Sequence, residues 1–471
     1  MNFTDINFIF IFLPLMVLLH AVTRDTLRNA ILFVGSLVFY AMAVGGRYGW
    51  VLLLLLSTVV NYLMGRSISL SVGKGRKVVL ITGVVYNAII LCMYKYCDAW
   101  LSPLLPALSG SLGTMSPAAE ILLPLGLSFY TFKNISYLHE VYASKVGPET
   151  SLIRYGAYLT MFPQISMGPI QTYESMKDSL ADRKVTLAGI QSGAMEFILG
   201  FGLKCIFAGR LGAVWSGIET IGYDGISTPL AWLGILAYSL QLYFDFYGYS
   251  LMASGIGEML GYATPKNFDY PYTATSMSDF WRRWHMTLGA WFKENVYFPL
   301  GGNRCGKGRL FFNLLVVWLL TGIWHGDTLT FLFWGFFLFV IVSLEKTGAL
   351  KKVTEHKVWS HVYMIPLILL FWTIFKLPTL SDLGVYLGRM FPFFTEAPDY
   401  VSMTDWVKYV KGMSGMLLVL GLVFCTPLPR RLYEKIKSKA WIAVPILLAI
   451  FWYSVYLSAC GANDPFLYFN F

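Results

Sequence analysis

Apolar runs of about twenty residues, separated by short basic clusters, recur along the whole chain and restrict its fold more than any other feature. Apolar side chains make up 56% of the 471 residues and charged ones 13%, about half the charged share of an ordinary soluble domain. So few charges cannot solvate the surfaces of the two or three soluble domains this length would otherwise build. Lipid must cover much of the chain. Backbone polar groups in a bilayer have to be satisfied within the protein. The expectation is an all-α polytopic membrane protein, a single domain over residues 1–471.

Candidate spans lie near 6–20, 29–44, 48–64, 78–97, 119–142, 152–170, 190–210, 229–260, 310–325, 329–345, 360–377, 412–427 and 440–460. Several are too short or too polar to cross alone, which leaves about eleven transmembrane helices plus re-entrant and interfacial ones. The run from Phe8 to Leu19 has neither a basic flank nor a small-residue cleavage site and reads as a membrane segment, not a cleaved leader. No internal repeat is visible.

The formal charge of +10 is gathered in clusters between the runs: Arg66 to Lys77, Lys266 to Arg309, Lys346 to Lys357 and Arg430 to Lys439. That is the pattern of cytoplasmic loops, not of a nucleic-acid surface. Residues 98–118 and 213–228 carry no Lys or Arg and suit the opposite face. The six cysteines are scattered without a CxxC pair, so neither a zinc site nor a disulfide framework is expected. The aromatic stretch Pro465 to Phe469 is expected to pack on the body of the protein or lie at the interface.

Two segments carry histidines in chemically suggestive positions. Residues 276–300 open with Ser276-Met277-Ser278-Asp279, a capping-box pattern. Trp281, Trp284, Leu288, Trp291 and Phe292 then recur at helical spacing, so a helix is predicted to run until Pro299 and Gly301-Gly302. His285 falls on the aromatic face, and Arg282 and Lys293 on the other, as in an interfacial helix. His285 is then either an ordinary interfacial side chain or a group turned toward a substrate passage.

The runs 310–325 and 329–345 form a hairpin with basic, hence cytoplasmic, flanks. Fifteen helical residues cover roughly 22 Å, most of a hydrocarbon core about 30 Å thick. His325 at the tip is therefore far from the cytoplasmic entrance. An ionisable group at that depth is costly and suggests function, unless it simply bonds a neighbouring helix.

Other interruptions, Lys133, His139, Glu140, Lys204 and Arg210, are assigned mainly to pairing within the protein, whereas Asp245 is the best candidate for a cavity wall. Gly248 beside it permits close helix contact. His20, His356 and His361 are read as solvated or interfacial. Met161 to Ile170, with Pro163, Gly168 and Pro169, is either a broken helix lining a cavity or a simple kink.

Taken together these segments resemble the membrane-bound O-acyltransferase family. The resemblance rests on Phe162-Pro163 through Gly168-Pro169-Ile170, Asp245-Phe-Tyr-Gly-Tyr-Ser250, Asn267-Phe-Asp-Tyr-Pro271-Tyr272, Asp279-Phe-Trp-Arg-Arg-Trp-His285, Pro299-Leu-Gly-Gly-Asn-Arg304, Gly322-Ile-Trp-His-Gly326 and Pro465-Phe-Leu-Tyr-Phe469, in that order over some 300 residues. The Pro299 to Arg304 run is similar to the bacterial exopolysaccharide-acetylating branch rather than to the D-alanyl-transferring one. Tyr247 and Met252 depart from the pattern, which has a smaller and an acidic residue there.

The resemblance implies acyl transfer from a thioester to a hydroxyl, around a central catalytic tunnel in a core at about 119–345. It implies His325 as the essential residue and His285 as its companion. Trp324, Asp245, Trp284, Asn303 and Gln164 are candidate tunnel-lining residues, and Arg283, Lys293 and Arg304 candidate donor-binding ones. No permanently bound cofactor is expected; the co-substrate would be acetyl-CoA or another acyl thioester. The implied partner is an extracytoplasmic SGNH-type acetyltransferase or another exopolysaccharide-modifying protein, and the implied location a bacterial cell membrane. The alternatives are a D-alanyl, lipid or peptide acceptor, or a non-catalytic polysaccharide-export subunit.

Overall fold

The computed structural model describes residues 1–101, 123–393 and 400–461, and among these every regular element is a helix. The aromatic run Pro465 to Phe469 and most of the cation-free stretch 98–118 lie outside the described residues. Eight helices among them are long and apolar enough to cross a membrane, and Met413–Phe424 with Leu428–Ile436, bent by 79°, makes up to nine. The spans expose rows of Leu, Val, Ile and Phe, the outward surface that only lipid covers at low cost. This is a multi-pass membrane protein.

The chain forms two compact units. One comprises residues 1–194 and 253–265, the other 195–252 and 266–471. In the first, a polar cluster ties helices together within the apolar packing. The amides of Asn61 and Asn87 bond each other, Asn134 donates to Ser57 Oγ (3.0 Å) and to Asn87 Oδ1 (3.2 Å), and Tyr155 donates to Asn134 Oδ1 (2.7 Å). Such bonds hold helices where hydrocarbon offers no alternative partner. His20 is fully buried there, its Nδ1 against the Met16 carbonyl at 2.8 Å, and is not a solvated side chain as its place near a span end suggested. The run 152–170 is broken, as Pro163 and Gly168 foretold: helix Leu152–Thr160 stops, a single turn Phe162–Ile165 follows, and the strand of chain beyond is buried.

In the second unit the hairpin expected from the sequence is present as Lys307–His325 and Leu329–Thr347. Its two helices meet at glycines. A methyl group on Gly322 would stand 2.5 Å from the Phe331 carbonyl oxygen, and one on Gly335 would stand 2.4 Å from that of Trp318. Backbones this close pack only across small residues. Helix Thr228–Met259 crosses the helix Leu187–Gly202 the same way at Gly248 and Gly200.

Candidate active site

Ser276 caps the segment that carries His285, accepting the Asp279 amide at 3.0 Å. Glu345 reinforces this start from the hairpin by accepting the amides of Met277 (2.6 Å) and Ser278 (2.9 Å). A carboxylate there meets the positive end of the helix.

The helix expected to run on to Pro299 instead breaks after about two turns. Helix Met277–Arg283 ends, Trp284 is extended, His285 takes a left-handed conformation (φ 45°, ψ 53°), and helix Met286–Phe292 begins. A left-handed non-glycine residue persists only where its surroundings hold it there. They are supplied by the strap Asn267 to Tyr270. The Asp269 amide donates to the Arg283 carbonyl, and the Met286 amide donates to the Asn267 carbonyl, each at 2.9 Å. The strap thus satisfies backbone groups on both sides of the break.

The Asn267 side chain fixes the imidazole as well. Its Oδ1 accepts from the Thr287 amide (3.2 Å) and hydroxyl (2.9 Å), and its Nδ2 donates to Ser250 Oγ (3.1 Å). These contacts settle which atom is the oxygen. His285 Nδ1 lies 3.2 Å from that same oxygen and must therefore carry the proton. Nε2 keeps the lone pair and is buried with no hydrogen-bond partner among the described residues. Burial without a carboxylate partner pushes the His285 imidazole down to about 3, so it is neutral at physiological pH. The segment lies outside the eight spans.

His325 is held by rings. It ends the helix Lys307–His325, with Trp334 and Phe375 edge-on at 5.1 and 5.0 Å, Phe331 stacked at 6.2 Å and Trp324 tilted at 4.6 Å. Gly326 permits this: a methyl group there would stand 2.3 Å from the Phe331 ring. A second aromatic series, Trp281, Trp284 and Trp372, joins the walls around the two histidines.

His285 and His325 line one cavity of about 620 Å³, together with Trp281, Trp284, Trp318 and Thr321. Lys293, Tyr297 and Lys346 line both this cavity and a neighbouring one of about 850 Å³, to which Asn303 and Arg304 also belong. Among the described residues, the second cavity has three cations and no acid in its lining. The arrangement offers a basic antechamber beside a chamber with two imidazoles.

Five of the ten residues singled out from the sequence are elsewhere or differently engaged. Asp245 is absent from the cavity lining and forms a buried ion pair with Lys204 across 41 residues. Gln164 belongs to the first unit, where it accepts from Lys133 (2.9 Å) and bonds Gln171. Arg283 pairs with Asp279 at 2.8 Å and donates to Thr273, and Trp324 meets the His325 ring at a tilt without lining the chamber. Asn303 lines the antechamber, not the histidine chamber. In the sequence Asn267 stands out only as part of a motif, and its contact with His285 shows once the fold brings the two together.

The family model for membrane-bound O-acyltransferases matches residues 38–366, which include both histidines and the strap. The chain belongs to the membrane-bound O-acyltransferase family. It is 34% identical to a protein named as a probable alginate O-acetylase in Pseudomonas syringae pv. tomato, over 83% of this chain and 76% of that one. It is 29% identical to the peptidoglycan O-acetyltransferase of Helicobacter pylori over 98% and 96%. The teichoic acid D-alanyltransferase of Bacillus subtilis is 26% identical over 61% and 78%. The chain is thus a membrane acyltransferase.

Proposed function

We propose that the protein transfers an acetyl group from a cytoplasmic thioester, acetyl-CoA, to a hydroxyl acceptor on the other side of a bacterial cell membrane, in the O-acetylation of an exopolysaccharide. One observation carries this: the two histidines share a chamber that opens beside a purely cationic antechamber. The similarity to alginate and peptidoglycan acetylating proteins favours acetyl as the group and a polymer as its destination.

The donor's phosphates meet Lys293, Arg304 and Lys346, and its thioester reaches the aromatic chamber. His325 takes the proton from the acceptor hydroxyl as its oxygen attacks the thioester carbonyl. The carbon–sulfur bond then breaks, and the thiolate takes up a proton. His285, neutral and with its Nε2 lone pair unpartnered, positions the acyl group or relays that proton. The hydroxyl belongs to an extracytoplasmic SGNH-type acetyltransferase or another exopolysaccharide-modifying protein that completes the transfer.

The test is acetyl-CoA turnover by purified protein with such an acceptor. Wild type turns over, and His325→Ala slows it about 10³-fold, the scale of lost general-base catalysis, with an unchanged melting temperature. Turnover at the wild-type rate in His325→Ala contradicts the assignment. A wild type that never consumes the thioester favours an export subunit instead.

A further inference from the structure

A third cavity of the same unit has no part in the chemistry above. It is a groove of about 480 Å³ beneath the helix Leu428–Ile436, within the roughly 300–1,000 Å³ of ligand sites. Leu203, Ile206, Leu251, Ile446 and Ile450 are among its apolar walls, and Arg430 is the single charged lining residue among those described. Arg430 is already engaged by Glu196 and Glu434.

The helix above it is strongly two-sided. Leu428, Leu432 and Ile436 line the groove, whereas Arg431 and Lys435 are exposed and have no carboxylate partner among the described residues. The helix also turns 79° away from the apolar span Met413–Phe424. An apolar slot therefore lies under a helix that also carries, outside the lining, cations without a described carboxylate partner, where a span gives way to a basic interfacial helix. That is the order of chemistry along an anionic lipid: hydrocarbon first, phosphate at the rim.

The far wall of the groove bears on the active site. It includes Tyr270, the left-handed last residue of the strap (φ 48°), and Tyr247, 5.7 Å from the strap's Phe268. The same strap satisfies the break at His285.

We propose that this groove binds one anionic glycerophospholipid, acyl chain inside and phosphate beside Arg431 and Lys435, and that the bound lipid braces the strap that holds His285. Binding stands independently of the catalytic reading; only the significance of the bracing rests on it.

Native mass spectrometry and thermal melting of the full chain test this with phosphatidylglycerol, phosphatidylcholine and inorganic phosphate as separate probes. Wild type is expected to hold one phosphatidylglycerol, bound about tenfold or more tighter than phosphatidylcholine, given about 1 kcal/mol per cation at the interface. Val423→Trp, filling the groove from an exposed position, should abolish binding of both. Arg431→Ala with Lys435→Ala should equalise the two lipids. Hydrogen exchange over residues 266–272 should slow several-fold with phosphatidylglycerol in wild type but not in Val423→Trp. Equal binding of the two lipids by wild type, unchanged binding in Val423→Trp, or the same stabilisation by phosphate alone each overturns the site. Lipid binding without slower exchange overturns the bracing. No readout uses turnover, so failure of the catalytic reading would be seen separately.

Discussion

The two histidines line one chamber, and the contacts described for each differ in kind. His285 sits in a break of the chain, left-handed, clamped by hydrogen bonds to a strap eighteen residues upstream in sequence. His325 ends a regular helix and is enclosed by aromatic rings. A hydrogen bond fixes which nitrogen bears the proton, and ring packing fixes position while leaving the tautomer to other contacts. The difference teaches that the two sites should fail differently. The polar clamp should fail steeply on losing one atom, and the aromatic box gradually on losing volume.

The largest effect is expected at the clamp. Asn267→Ala removes the acceptor that sets the His285 tautomer, and a wrong tautomer is costly to catalysis. A loss of about 10²-fold in kcat is expected, measured with acetyl-CoA at saturation. Asn267→Asp keeps an acceptor and should recover much of the rate while shifting the pH profile, because a carboxylate favours the imidazolium. If Asn267→Ala acts only through unfolding, its melting temperature falls and its pH profile keeps the wild-type shape.

The antechamber comes next. Lys293→Ala with Arg304→Ala should raise KM for acetyl-CoA about tenfold with little change in kcat, and should flatten the dependence of KM on salt. In the aromatic box, Phe375→Leu removes one edge contact to His325 and one to Phe331. It should cost about threefold in kcat and roughly 1–2 kcal/mol of stability. An equal loss in Asn267→Ala and Phe375→Leu would erase the contrast between clamp and box.

The last effect is a pH dependence of stability. His285 titrates at about 3 when folded and near its ordinary 6.5 when unfolded. Between those values the unfolded chain binds one more proton, so stability rises with pH by up to about 1.4 kcal/mol per unit and is complete above 6.5. Melting temperature followed from pH 7 to 4 should fall less steeply in His285→Gln than in wild type.

Much of the architecture was legible because composition and hydropathy are local properties. The spans, the Ser276 cap and the hairpin with His325 at its tip follow from residue order. The break at His285 was not legible, because Trp281, Trp284, Leu288 and Trp291 keep helical spacing straight through it. The groups that stabilise the break come from Asn267 and Asp269, whose proximity only the fold creates. Asp245 and Lys204 were each visible as costly charges, yet their pairing across helices was not. Arg283 is the exception: Asp279 four residues before it on the same helix was a readable sign of an ion pair.

The central claim is that both histidines serve one reaction in one chamber, and a double-mutant cycle in kcat tests it most directly. With His285→Ala, His325→Ala and the double variant assayed under single-turnover conditions with acetyl-CoA, the double variant should be hardly slower than His325→Ala alone, as for residues acting as a unit. If the two losses multiply independently, the histidines do not act on the same step, and the shared-chamber account is wrong.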